Sequence, residues 1–152
     1  MPAIEGPLVE CENGYHVCRG AAQLIHWLGP EIYGAEVRDE ILSCDTKTVV
    51  REVRLVAKVE IWNECMARLF AADCAEHVLY LYELKHPDDD RPRKAIVAAR
   101  ALAGSGPATA AHAAAHAAAR AVAWSAAWSA AWSAERDWQV QRLREYLTGE
   151  RQ

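Results

Sequence analysis

The strongest constraint on this chain is the segment from Ala108 to Ala134, in which 16 of 27 residues are alanine. Alanine has the highest intrinsic helix propensity, so a stretch of this composition forms helix if it forms anything. Within it the tetrad Ala-Trp-Ser-Ala occurs three times in succession, placing Trp124, Trp128 and Trp132 at i, i+4 and i+8. Four residues turn a helix through about 400°, so successive tryptophans drift by about 40° and stay in one stripe. The rest of the circumference is Ala and Ser, which lets a neighbouring helix approach closely. The pattern continues through Trp138, Leu143, Tyr146 and Leu147 to Thr148-Gly149. Unbroken from Ala108, such a helix would be about 60 Å long, whereas a compact domain of this size has a radius of gyration of about 15 Å. The sequence therefore predicts either a break around Ala134–Asp137 or a projecting helix buried by a second copy, as in a homo-oligomer.

Upstream the periodicity is different, and it changes near residue 60. Residues 1–59 hold nine acids and six bases with Gly, Pro and β-branched residues mixed through, whereas residues 60–152 hold twelve acids and eleven bases and read as helix almost throughout. In the first part, Gly14–Cys18 is a strand candidate after an Asn-Gly turn signal. Ala21–Leu28 suits two turns of helix stopped by Gly29-Pro30, and Ile32–Arg38 alternates with Tyr33, Ala35 and Val37 on one face. The clearest strand is Thr48–Val59, where Val53, Leu55, Ala57 and Val59 alternate with Glu52, Arg54 and Lys58, a period of two with one solvated face. From Ile61 onward Trp62, Cys65/Met66, Leu69/Phe70, Cys74, Val78 and Leu81/Tyr82 form one stripe, with Arg68, Asp73 and Glu76 elsewhere, predicting an amphipathic helix to about Lys85. After the loop His86–Asp90, Asp90-Arg91-Pro92 reads as a helix start with an acidic cap and an early proline, and that helix runs to about Ala103.

The chain has 152 residues, 52% of them hydrophobic and 25% charged, with 17 Lys+Arg against 21 Asp+Glu. That is long enough to bury roughly two thirds of its unfolded surface, without a disulfide or a metal to staple it. A net charge of −4 gives no footprint for non-specific nucleic-acid binding, which depends on excess Lys and Arg. Arg100, Arg120, Arg136 and Arg142 do not line one helical face either. The N-terminus lacks the basic start and continuous apolar core of a secretory signal. No run of about 18 strongly apolar residues suggests a membrane span. Five cysteines, an odd number in a chain too large for a knotted scaffold, suit reduced thiols in a cytoplasmic protein.

Residues 65–147 resemble a family of bacterial and phage immunity proteins grouped with the immunity partners of polymorphic toxins. The resemblance rests on Asp73-Cys74-Ala75 with Val78, on His86-Pro-Asp-Asp-Asp-Arg-Pro-Arg93 followed by Ala95-Ile96 and Ala98-Ala99-Arg100, and on Trp138-Gln139, Arg142-Leu143 and Tyr146-Leu147 after the Ala-rich helix. Residues 11–62 are similar to a second, uncharacterised family of phage and bacterial genomes. That similarity rests on Cys11, Gly14, His16 and Cys18, on Glu36-Val37, and on Lys47 leading into Val49–Val59. It begins where that family already has about one hairpin behind it, so the first lobe reads as truncated. The first resemblance implies a protein partner and a role in occluding it.

Several clusters could carry chemistry. Cys11, His16 and Cys18, with Cys44 as a fourth, are thiolate and imidazole groups of the kind zinc takes in tetrahedral sites. Their spacing is not the usual Cys-x2-Cys knuckle, and an ordinary hairpin with a buried thiol accounts for them as well. His112 and His116 have the i, i+4 spacing of a metal-binding pair, but lack the intervening Glu of a His-Glu-x-x-His hydrolase. Asp88, Asp89 and Asp90 with Arg91 and Arg93 could form a carboxylate site. The blander account is a capped helix start, with Arg91 or Arg93 paired to Asp73, Glu76 or Glu83. Trp124, Trp128 and Trp132 are either core or an aromatic binding stripe. No phosphate-binding Gly loop, Gly-x-Ser-x-Gly elbow or Ser/His/Asp set stands out, so no catalytic residue is assigned.

These observations predict an α+β chain with a small antiparallel β-rich lobe over 1–59 and an Ala/Trp-rich bundle of three to four helices over 60–152. The function they favour is a non-catalytic interaction protein, either an immunity-like inhibitor or a phage counter-defence factor, docking through Asp88–Asp90, Arg91, Arg93 and the Trp stripe. The alternatives are a zinc-stapled structural or adaptor module and a self-assembling structural protein built on the Ala/Trp helix.

Overall fold

A computed structural model describes residues 1–103 and 132–150. The chain divides into two compact units, Met1–Ile61 and Trp62–Gln152, and the architecture is α+β. His112, His116, Trp124 and Trp128 lie outside the described residues, and Trp132 is described only in its backbone.

In the first unit Tyr15–Val17 (β1), Tyr33–Ser43 (β2) and Thr48–Lys58 (β3) form one antiparallel sheet in the order β1-β3-β2. β3 is central at its start, where Thr48, Val49 and Val50 pair with Val17, His16 and Tyr15 on one side and with Ser43, Leu42 and Ile41 on the other. The core of the unit sits there, with Val49 and Val50 fully buried. Gly14 leads into β1 at φ 137°, and a Cβ at that position would collide with Val49 Cγ1, so this turn requires glycine.

The predicted helix over Ala21–Leu28 shortens to one α-helical turn, Ala21–Leu24 (α1). The i→i+3 bonds His26 N–H to Gln23 O and Trp27 N–H to Leu24 O continue it as tighter turns. Those turns deliver two side chains to the β2–β3 loop. Gln23 donates to Cys44 O and Lys47 O, both at 3.0 Å, and Trp27 Nε1 donates to Thr46 O at 2.8 Å.

β2 runs five residues beyond the predicted Arg38, across an irregularity between Arg38 and Ile41 at which Asp39 takes φ 63°. Extra residues of this kind turn a ribbon and break the simple alternation that a sequence displays. The prediction of a buried apolar face along β3 also needs correction. Val53 is buried, but Leu55 and Val56 are 58% and 57% exposed, and every residue of β2 is exposed. β1 spans only three residues, so beyond it β3 is flanked by β2 and by the N-terminal segment. There Ile4 N–H donates to Arg51 O and the Met1 ammonium to Val53 O, both at 3.0 Å. A two-stranded ribbon by itself buries little of its apolar surface.

The second unit holds three described helices, Glu64–Lys85 (α2), Arg91–Ala103 (α3) and Trp132–Thr148 (α4). Asn63 caps α2, its side chain accepting from Met66 N–H at 3.2 Å. Ala72, Ala75 and Leu79 of α2 pack on Ile96 and Ala99 of α3, small residues that allow close helix approach. Phe70 stands edge-on between Trp62 and Tyr146, with ring centroids 6.1 and 5.9 Å away. The predicted break at Ala134–Asp137 does not occur. α4 passes through it, supported by a first-turn Glu135 whose carboxylate accepts from Gln139 one turn on at 2.8 Å. α4 ends at Gly149, φ 77°, with Glu150 N–H returning to Glu145 O, a Schellman-type stop. No described helix is long and apolar enough to cross a membrane.

Candidate functional site

The centre of the second unit is a carboxylate. Asp73 lies mid-way along α2, its side chain only 5% exposed, although helical periodicity placed it off the apolar stripe. A buried charge survives only if it is paired and hydrogen-bonded, and Asp73 collects its partners from the other two helices. Arg100 of α3 donates to Oδ1 at 2.7 Å. Arg142 of α4 donates to Oδ2 through Nε at 2.9 Å, and the Tyr146 hydroxyl donates to the same oxygen at 3.0 Å. Glu76 and Glu145 flank the cluster, accepting from Arg100 at 2.5 Å and Arg142 at 2.9 Å. Arg68, also predicted on the polar side, is buried and pairs with Glu64.

Cys74, next in sequence, is buried. Desolvation, reinforced by the Glu135 and Asp73 carboxylates, pushes its thiol up to about 12. A thiol held protonated at neutral pH is neither a nucleophile nor a ready metal ligand. Nearby, His77 stacks on Trp138 with ring centroids 3.8 Å apart and planes within 3°. The Arg142 guanidinium lies 5.5 Å from the centroid of the same indole. His77 Nε2 approaches Glu135 at 3.3 Å, and burial raises the Glu135 carboxyl above its ordinary range.

The corner between α2 and α3 carries the predicted acidic site. Asp89 accepts from the Arg91 side chain at 2.7 and 2.8 Å, from Arg91 N–H at 3.1 Å, and from the Tyr82 hydroxyl at 2.7 Å. Arg91, then Tyr82, hold its carboxyl well below the usual carboxylate range. Asp90 pairs with Lys94 at 2.7 Å, one turn into α3. Arg93 donates two bonds of 2.8 Å to Glu83, a bidentate link from α3 back to α2. Two of the three aspartates thus build the corner, and Asp88 is exposed on it.

In the first unit Cys11 Sγ accepts from Lys47 Nζ at 2.7 Å. Cys44 Sγ lies 4.0 Å from Leu42 O, and its thiol is raised, first by burial and then by Glu10. Cys18 is half-buried and raised by desolvation, while His16 is exposed on β1. Among the described residues no three His, Cys, Asp or Glu side chains are gathered as they would be round a metal ion.

The residues that converge on Asp73 are among those that carried the immunity-protein resemblance, Arg100, Arg142 and Tyr146 with it. Residues 63–131 match the family model described as Imm-5 like putative immunity protein. The matched segment takes in all of α2 and α3, hence Asp73, Arg100 and the Asp88–Arg93 corner, and it stops short of Arg142 and Tyr146. It does not reach residues 11–62. No curated protein and no solved structure matches the chain.

Of the pairings the sequence offers for Arg91 or Arg93, with Asp73, Glu76 or Glu83, the structure shows Arg93 with Glu83, while Asp73 takes Arg100 and Arg142. The signal for the true arrangement was available. A single Asp among Phe70, Ala72, Cys74 and Ala75 in the middle of a helix implies buried donors, and Arg100 and Arg142 are among the arginines to which the sequence assigns no other partner.

Proposed function

We propose that the chain is a non-catalytic, cytoplasmic interaction protein of the immunity type, which binds a protein partner and occludes it. The observation that carries this reading is the match of residues 63–131 to the immunity family. The geometry supports it through rigidity. Asp73 ties α2, α3 and α4 together, and the Glu83–Arg93 and Asp89–Arg91–Tyr82 links fix the α2–α3 corner, so the corner is preorganised, which lowers the entropic cost of docking. Within the acidic run, Asp88 is the carboxylate presented to a basic partner surface, while Asp89 and Asp90 hold the shape.

The test is co-expression in bacteria with the product of each reading frame that flanks the gene, taking those that arrest growth, scored by growth and by co-purification. Restored growth and a stable complex are expected. Asp88→Lys should weaken the complex while leaving the helical circular-dichroism signal intact. Toxicity unrelieved by well-folded protein, with no complex formed, would overturn the proposal.

A further inference from the structure

Lys47 is among the most buried charged residues of the first unit, its side chain 7% exposed. Its ammonium is directed at Cys11 Sγ, 2.7 Å away, with Glu10 Oε1 at 3.4 Å and the Trp27 ring centroid at 5.2 Å. Cys11 is itself exposed and held at φ 64° by the turn before β1. An accessible sulfur is therefore held in direct contact with an amine on a buried side chain. Cys74, by contrast, is buried, and burial holds its thiol protonated.

We propose that Cys11 and Lys47 are an oxidative modification site that closes into a covalent sulfur–nitrogen crosslink on exposure to a peroxide. In the first step Sγ attacks one peroxide oxygen, the O–O bond breaks, and the sulfur is oxidised by two electrons to a sulfenic acid as water leaves. Sulfenic acids condense with thiols or with nitrogen, and the nitrogen in reach is Nζ. In the second step the ammonium loses one proton to Glu10, and the freed lone pair attacks Sγ. The S–O bond breaks, and the hydroxyl leaves as water with a second proton from nitrogen. One thiol, one ammonium and one hydrogen peroxide give one sulfenamide, two waters and one proton. The Cys11 turn is thereby locked to the β2–β3 loop, and thiols reverse the bond.

The experiment is peroxide treatment of the full-length reduced protein, alkylation of free thiols, tryptic digestion and mass spectrometry. The expected product is the Met1–Arg19 peptide joined to a peptide running from Asp39 to Arg51, uncut after Lys47 and lighter than the pair by two hydrogens. Dithiothreitol should release it. Cys44→Ser should retain the product, and Lys47→Arg should abolish it. Cleavage after Lys47 with Cys11 recovered unoxidised, as an uncondensed oxygen acid, or in a disulfide with Cys44 would overturn the proposal. The wild-type peptide map decides this by itself if Lys47→Arg does not fold.

Discussion

The β2–β3 ribbon and the helical unit use charge in opposite ways. Along the β2–β3 ribbon the ionic groups lie on the outside. Arg54 and Glu36 pair at 2.6 Å with side chains 70% and 52% exposed, and Lys58 pairs with Glu31 at 2.5 Å. In the helical unit the ionic group is inside, and three helices are arranged around it. Exposed pairs gain little because water and salt screen them. A buried carboxylate is a different object. It adds little net stability when satisfied, and it costs a great deal when a partner is removed. The first unit is thus tolerant of charge changes on its ribbon, while the second depends on one side chain.

The largest effect should come from removing the buried carboxylate on which the three helices converge. Asp73→Ala is expected to cost about 3–5 kcal/mol, seen as an early urea transition of the helical signal. A loss below about 1 kcal/mol would make Asp73 no different from a ribbon charge and erase the contrast. Next comes the α2–α3 contact, where Ala75 is fully buried. Ala75→Leu should overpack it by about 1–3 kcal/mol. On the ribbon, Arg54→Ala should cost less than about 1 kcal/mol and nothing measurable in high salt.

The smallest effect sharpens the comparison by pH. The folded Glu135 carboxyl titrates above its ordinary range, so it favours the folded state at low pH, and that contribution is lost as pH rises through the raised value. Glu135→Gln should remove this part of the pH dependence, measured as a flatter profile of denaturation midpoint through the weakly acidic range. His77, the facing group at 3.3 Å, offsets part of it.

Elements were far more legible in the sequence than partners. The end of α2 at Lys85, the start of α3 at Arg91 and the start of β3 at Thr48 follow from local signals: a charged last turn, an acidic residue before Arg-Pro, a β-branched run. What periodicity could not show was the fate of residues that break its pattern. Asp73 and Arg68 read as solvent-facing because they are charged, yet both are buried. Leu55 reads as interior because it falls on the apolar side of the alternation, yet it is exposed where the sheet narrows to a ribbon. Overall length leaves a break at Ala134–Asp137 and a continuous helix as alternatives there, and the local chemistry of Glu135 and Gln139 decides for helix. At the α2–α3 corner the sequence suggested both a docking site and a capped helix start, and the hydrogen bonds of Asp89 and Arg91 are those of the cap.

The position of Asp73 also bears on the order in which the unit assembles. Its bond to Arg100 closes a loop of 27 residues, whereas those to Arg142 and Tyr146 close loops of 69 and 73. Closure entropy must be met before long-range contacts stabilise anything. The α2–α3 hairpin is therefore the cheaper nucleus, and it forms with one carboxylate oxygen still lacking its final donors. Docking of α4 is the late event, so weakening Arg142 should be felt in the rate at which the unit comes apart rather than the rate at which it folds.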